Sequence, residues 1–136
     1  MKYIALILIT TLAIACGNTN GTVSSSNENQ QQPTVKNLAQ SDLASKIIGD
    51  VILIDVRTPG EVNAGCIDGA DAFIDYNGAS FQSEINKLDK EKTYVMYCRS
   101  GGRSGRAAEF LVKNGFKDVY NLEGGILAYK GELKTE

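Results

Sequence analysis

The spacing of apolar residues along the chain predicts five β-strands. Residues 51–56 are almost continuously aliphatic, a pattern typical of a strand that is buried on both faces of a parallel sheet. Residues 93–97 form a second such run, rich in β-favouring side chains, and it ends at Cys98. Shorter runs predict the remaining strands, at 34–38, 72–76 and 119–122.

Segments with helical spacing separate these strands. In the first of them, Leu43, Ile47 and Ile48 are expected to pack on the sheet, with Ser41 as the N-cap and Gly49 as the stop. Strands that alternate with helices predict a parallel α/β sheet with helices on both faces. The helices are expected at 41–48, 80–88 and 104–114, with a last short one within 123–129.

The N-terminal residues 1–15 have the composition of a secretory signal peptide. Lys2 is followed by an uncharged, mostly apolar run at 4–15, and these twelve residues are too few to span a bilayer, which needs about 20. The run ends in Leu12-Ala13-Ile14-Ala15-Cys16, which resembles a bacterial lipobox. Cys16 is therefore expected to carry lipid and to anchor the protein in the cell envelope, facing the periplasm or the exterior. An ordinary signal peptide with an incidental cysteine is the alternative.

Residues 16–33 contain almost nothing that a core could bury. They are rich in Asn, Gln, Ser and Thr, with Val23 as their single aliphatic side chain. Such a segment is expected to be a flexible tether. The folded domain is then expected to span 34–136.

The segment after the 93–97 strand carries the candidate chemistry. Cys98 ends the strand, small residues and arginines follow, and an alanine-rich helical segment begins. Backbone N–H groups of such a turn can point at one spot, where the helix dipole adds positive potential. These surroundings favour a thiolate and can also receive an oxyanion. The alternative is an inert, buried cysteine at a strand end.

The composition restricts how this cysteine can react. The chain has no histidine, which excludes Cys-His and Ser-His activation and every histidine metal ligand. Its three cysteines show no C-x-x-C spacing, and no Walker A or G-x-G-x-x-G pattern occurs. We therefore expect neither a metal nor a cofactor. A formal net charge of −2 argues against a nucleic-acid partner.

A charged cluster follows the 51–56 strand. Asp55, Arg57 and Glu61 are expected to form ion pairs that hold the adjoining loop in place. The alternative makes Asp55 a general acid or base.

Four motifs in the same order resemble the rhodanese-like sulfurtransferase family across residues 34–129. They lie at 54–61, 65–70, 97–104 and 121–126. The resemblance implies a three-layer α/β/α fold with a mostly parallel five-stranded sheet. It also implies that Cys98 accepts sulfane sulfur from a small anionic donor such as thiosulfate, becomes a persulfide, and passes the sulfur to cyanide or a thiol. We expect the protein to be a monomer.

The resemblance also assigns roles to the residues after Cys98. Arg99 and Arg103 would position the anionic donor, although both could instead pair with acidic neighbours. Backbone amides would come from the rest of the loop, namely Ser100, Gly101, Gly102 and Ser104.

Two positions depart from the family pattern. Tyr129 stands where many relatives have tryptophan, which changes only the packing. Cys66 stands where many have histidine. Cys66 is either a substitution without a role in the chemistry or a redox partner that forms a disulfide with Cys98 in an oxidising compartment.

Alternative functions remain open at this point. Phosphatases and arsenate reductases that use the same fold have five residues between cysteine and arginine, whereas four separate Cys98 from Arg103. The smaller loop favours sulfur over a phosphate monoester. A thiol redox sensor or a non-catalytic binding module is the other alternative.

Overall fold

The computed structural model describes residues 32–135, which form an α/β domain. The predicted signal peptide, Cys16 and all but the end of the predicted tether lie outside these residues. No helix in the described part is long and apolar enough to cross a membrane. In chain order the elements are β1 (Lys36–Leu38), α1 (Gln40–Lys46), β2 (Val51–Asp55), α2 (Pro59–Asn63), β3 (Cys66–Ile67), β4 (Ala72–Phe73), α3 (Phe81–Ile85), β5 (Thr93–Tyr97), α4 (Gly102–Lys113), β6 (Asp118–Leu122), α5 (Gly125–Ala128) and β7 (Leu133–Lys134).

Five of these strands form one parallel sheet in the order β1-β6-β5-β2-β4. The central strand β5 pairs with β2 on one side, with Leu53 opposite Val95, and with β6 on the other, with Val95 opposite Tyr120. The fold expected from the sequence, with its mostly parallel five-stranded sheet, is confirmed. Because all five strands run the same way, their carboxyl ends share one edge, which is where sheets of this kind bind ligands.

Side chains of β5 alternate between two cores, one on each face of the sheet. Met96 packs with residues of α3 and α4, including Ile85 and Leu111. Tyr97 packs on the opposite face with Leu43 of α1. Burial on both faces explains why the strand is an unbroken apolar run, since neither side of it meets water.

A small antiparallel sheet was not expected from the sequence. β3 pairs with β7, so that Cys66 lies opposite Lys134 and Ile67 opposite Leu133. Strands of two residues are too short for any alternation to show in the sequence.

Several element boundaries differ from those expected. The first helix ends earlier, with Ile47 as its C-cap, so Ile48 leaves the apolar face and is 82% exposed. The expectation that Ile48 packs on the sheet was wrong. Ser41 is not the N-cap either, because α1 begins at Gln40 and its cap position, Ala39, makes no side-chain hydrogen bond. The elements expected at 72–76 and 80–88 are shorter, at 72–73 and 81–85.

Candidate active site

Cys98 lies directly after the central strand, at the carboxyl edge of the sheet. Its side chain is 1% exposed. The chain turns at Gly101, whose φ of 97° is left-handed, and enters α4 at Gly102, two residues before the expected helix start. This early turn places the start of a twelve-residue helix beside the sulfur.

The sulfur of Cys98 lies in a cradle of hydrogen-bond donors. The Gly101 N–H donates to Sγ at 3.2 Å, and the amides of Ser100 and Ser104 also face it. The Ser104 hydroxyl lies 3.4 Å from Sγ. Burial is the largest single influence and raises the pKa of the Cys98 thiol, but the hydrogen bonds together outweigh it and leave that pKa lowered. The site therefore favours the nucleophilic thiolate without a histidine.

Asn121 supports the cradle from the neighbouring strand β6. The Ser104 hydroxyl donates to Asn121 Oδ1 at 2.7 Å. Ser104 is fully buried and has one proton, and both Asn121 Oδ1 and the Cys98 sulfur lie within its reach. Asn121 therefore fixes the position of the Ser104 hydroxyl beside the sulfur. The sequence analysis assigned no role to Asn121. The signal that could have indicated one was a polar side chain near the end of the β6 strand, at the same edge of the sheet as Cys98.

The N-terminus of α5 holds the loop from the other side. The Ile126 N–H donates to the Cys98 carbonyl at 2.9 Å, and the Leu127 N–H donates to the Arg99 carbonyl at 3.1 Å. Gly125 makes this approach possible, because its φ is 55° and a Cβ there would lie 2.5 Å from the Cys98 carbonyl oxygen. The Gly-Gly pair of the fourth motif thus serves to seat one turn of helix against the loop.

Asp55 and Arg57 form a buried ion pair beside the site. Arg57 Nη2 lies 2.6 Å from Asp55 Oδ2, and both side chains are buried. Arg57 also donates to the carbonyls of Gly65 and Glu61, at 2.8 and 3.2 Å. The ion pair therefore connects the end of β2 to α2 and to the residue before β3, which is consistent with a structural role.

Glu61 pairs with a different arginine from the one expected. Its carboxylate makes two hydrogen bonds of 2.7 Å with Arg103, while Arg57 reaches only its backbone carbonyl. Glu61 also closes a capping box with Thr58, which turns the carboxylate toward the start of α2. The Arg103 hydrogen bonds are the main reason that the pKa of Glu61 falls to about 2. The cluster of Asp55, Arg57 and Glu61 thus extends to Arg103, the loop arginine that was expected to bind the anionic donor.

The remaining predicted site residues lie in different surroundings. Arg99 and Ser100 are exposed, and Arg99 pairs with no carboxylate of residues 32–135. Cys66 is buried in β3, with Sγ 3.5 Å from the Lys134 carbonyl oxygen. A disulfide between Cys66 and Cys98 stays a prediction. Within the described range, no group of three or more Cys, Asp or Glu side chains could hold a metal ion.

A buried thiol that accepts hydrogen bonds from backbone amides, at the edge of a parallel sheet, is typical of domains that transfer a chemical group through a cysteine. The chain belongs to the rhodanese-like domain family, whose model matches residues 34–132.

Individual relatives agree with this assignment. The Bacillus subtilis protein YtwF is 39% identical over 104 residues, covering 75% of this chain and 97% of that protein. A protein of Allochromatium vinosum named "Sulfurtransferase" is 38% identical over 80 residues, covering 59% of this chain and 72% of its own. The crystal structure of a rhodanese-like domain protein from Staphylococcus aureus superposes with a TM-score of 0.66 at 31% identity, covering 74% of this chain and 98% of that one.

Proposed function

We propose that this protein is a sulfurtransferase that carries sulfane sulfur on Cys98. The observation that supports this most directly is the convergence of three amides and one hydroxyl on the Cys98 sulfur. The family membership and the name of the Allochromatium relative point the same way.

In the first step, the Cys98 thiolate attacks the outer sulfur of a donor such as thiosulfate. The sulfur–sulfur bond of the donor breaks, sulfite leaves with the electron pair, and a Cys98 persulfide anion forms. In the second step, cyanide or a thiolate attacks the outer persulfide sulfur. Thiocyanate or a new organic persulfide then leaves, and the Cys98 thiolate returns. Neither step needs a separate oxidant or reductant.

The same hydrogen-bond donors stabilise both the thiolate and the persulfide of Cys98. A persulfide places its negative charge one atom farther out than the thiolate, and preorganised amides at a helix N-terminus stabilise either charge. The main chain supplies most of these donors, so the cradle needs no histidine. The four-residue spacing to Arg103 keeps it small, which favours a single sulfur atom over a phosphate monoester.

Mass spectrometry of the intact, reduced protein tests this function. Incubation with thiosulfate is expected to add one sulfur atom at Cys98, and cyanide is expected to remove it as thiocyanate. Cys98→Ser should remain unmodified, whereas Cys66→Ser should still be modified. Absence of a persulfide on correctly folded wild-type protein, with every donor tried, would refute the proposal.

We also propose that the domain works at the bacterial cell envelope, held through a lipid on Cys16. The support is the sequence of residues 1–16, with its short apolar run and lipobox-like end.

A further inference from the structure

The helical turn that holds the Cys98 loop needs support from outside itself. α5 spans only Gly125–Ala128, and a helix of one turn is not stable by itself in water. Two of its N–H groups nevertheless donate to carbonyls of the loop, those of Cys98 and Arg99. The position of the loop therefore depends on the contacts that anchor α5.

Gln40, at the start of α1, is one such anchor. Its side-chain amide donates to the Glu123 carbonyl at 2.5 Å and to the Gly125 carbonyl at 3.0 Å. Both N–H hydrogens of the amide are thus bonded to the backbone at the beginning of α5. Gln40 lies 85 residues before Gly125 in the chain, so no local pattern of the sequence indicates this contact.

The hydrogen bonds of α5 also set the direction of an amide that faces the sulfur. The Arg99 carbonyl and the Ser100 N–H belong to one planar trans peptide unit and point in opposite directions. The Leu127 N–H holds that carbonyl at 3.1 Å. The Ser100 N–H is therefore directed away from α5, where it faces the Cys98 sulfur. Without the α5 contact this peptide unit would be free to rotate, and the sulfur would lose one of its three amides.

The Gln40 side chain also has a feature that does not favour stability. Its Oε1 atom is buried and has no hydrogen-bond partner among the described residues. A buried acceptor without a partner costs folding free energy, and an apolar side chain of the same length avoids that cost. The two donors of the amide therefore account for a glutamine at this position.

We infer that Gln40 is a positioning residue for the Cys98 site: its side-chain amide anchors α5, and α5 in turn holds the loop amides on the sulfur. The hydrogen bonds of Gln40 go to Glu123 and Gly125, so it acts on the sulfur through that turn. This inference deepens the sulfurtransferase function proposed above, because it adds a residue to the same site.

The rate at which iodoacetamide alkylates Cys98 tests the inference, measured as a function of pH by peptide mass spectrometry on the full chain. Iodoacetamide is uncharged and needs no sulfur transfer, so the rate reports the thiolate whether or not the protein is a sulfurtransferase. Gln40→Met keeps the length of the side chain and removes its two donors. It is expected to slow alkylation about threefold at neutral pH and to move the midpoint of the profile up by about 0.5 pH unit, with rates that converge at high pH.

Gln82→Met is the matched control. Gln82 is exposed on α3, which packs on the other face of the sheet from α1, and the variant should have an unchanged profile. Both variants keep the charged side chains of the loop and its flanking cluster, Arg99, Arg103 and Glu61. An unshifted profile in Gln40→Met, a rate that falls equally at every pH, or an equal shift in Gln82→Met would overturn the inference.

Amide hydrogen exchange tests the route through α5. In Gln40→Met, residues 98–101 and 123–128 are expected to exchange about threefold faster or more, whereas residues 105–113 of α4 should keep the wild-type rate and show that the domain is folded. Unchanged exchange at 98–101 and 123–128 would overturn the inference. If the alkylation profile shifts as expected but no donor forms a persulfide on wild-type protein, the positioning role stands and the proposed activity fails.

Discussion

The Asn121 side-chain amide lies 2.7 Å from the Ser104 hydroxyl oxygen, and that oxygen lies 3.4 Å from the sulfur of Cys98. Asn121 therefore touches the nucleophile only through Ser104. Ser104 contacts the sulfur itself, and its effect should appear in the pH dependence of the reaction.

We predict that Ser104→Ala raises the pH at which Cys98 becomes reactive. The Ser104 hydroxyl lowers the pKa of the Cys98 thiol through its hydrogen bond, which alanine cannot make. Persulfide formation at neutral pH should fall by about fivefold, the equivalent of roughly 1 kcal/mol for one hydrogen bond. At high pH the rate should approach that of the wild type.

The pH profile of kcat/KM with thiosulfate measures this effect. Ser83→Ala is the control, because it removes the hydroxyl of a serine on α3 that donates to the Ser80 carbonyl at 2.8 Å. A rate that falls equally at every pH in Ser104→Ala would indicate general damage to the site instead.

The Glu61–Arg103 pair should stabilise the fold in a pH-dependent way. The folded-state pKa of Glu61 is about 2, against an ordinary value of 4.5. Because the folded-state value is depressed, the stabilisation is present above pH 4.5 and is lost as the pH falls toward 2. Glu61→Gln should lower the free energy of unfolding at pH 7 by about 1 kcal/mol, given the partial exposure of the pair.

Urea denaturation of wild-type protein and Glu61→Gln between neutral and acidic pH measures this difference. The two unfolding free energies should converge as the solution is acidified. A constant difference down to the lowest pH would show that the variant acts through packing or helix capping and not through the charge.

Gly125 should tolerate no side chain. A Cβ there would approach the Cys98 carbonyl oxygen to 2.5 Å, and φ is 55°. We expect Gly125→Ala to destabilise the domain by about 2 kcal/mol and to displace the loop, with loss of persulfide formation. Thermal unfolding and the persulfide assay measure both effects. Gly60→Ala is the control, since no atom lies within 4 Å of a Cβ at that position; equal stability of the two variants would contradict the prediction.

Cys16 is expected to be the lipid attachment site. Expression of the full chain in bacteria fed an alkyne-tagged fatty acid should label the wild type, and Cys16→Ser should remain unlabelled and partition out of the detergent phase. Cys66→Ser retains Cys16 and should label normally. Labelling of Cys16→Ser, or none of the wild type, would contradict the lipoprotein assignment.

Local regularities of the chain were enough to predict the architecture and to place Cys98 directly after a strand. Apolar runs depend on which faces of an element are buried, so the strands at 51–55 and 93–97 were evident from their own residues. The abrupt change from strand to glycines, arginines and alanines after Cys98 likewise predicted a thiolate-binding turn. The strands β3 and β7 were missed because two residues make only one period of alternation, which is too little to show a pattern.

Only the tertiary structure decided which side chains pair with each other around the site. Glu61 pairs with Arg103, 42 residues away, although Arg57 is its neighbour along the chain. Ser104 meets Asn121, 17 residues away, because β5 and β6 are adjacent in the sheet. The sequence by itself determined the five strands of the main sheet and the cysteine that follows the central one, because these depend on neighbouring residues. Packing of β2, β5 and β6 side by side decided which distant side chains meet around the sulfur.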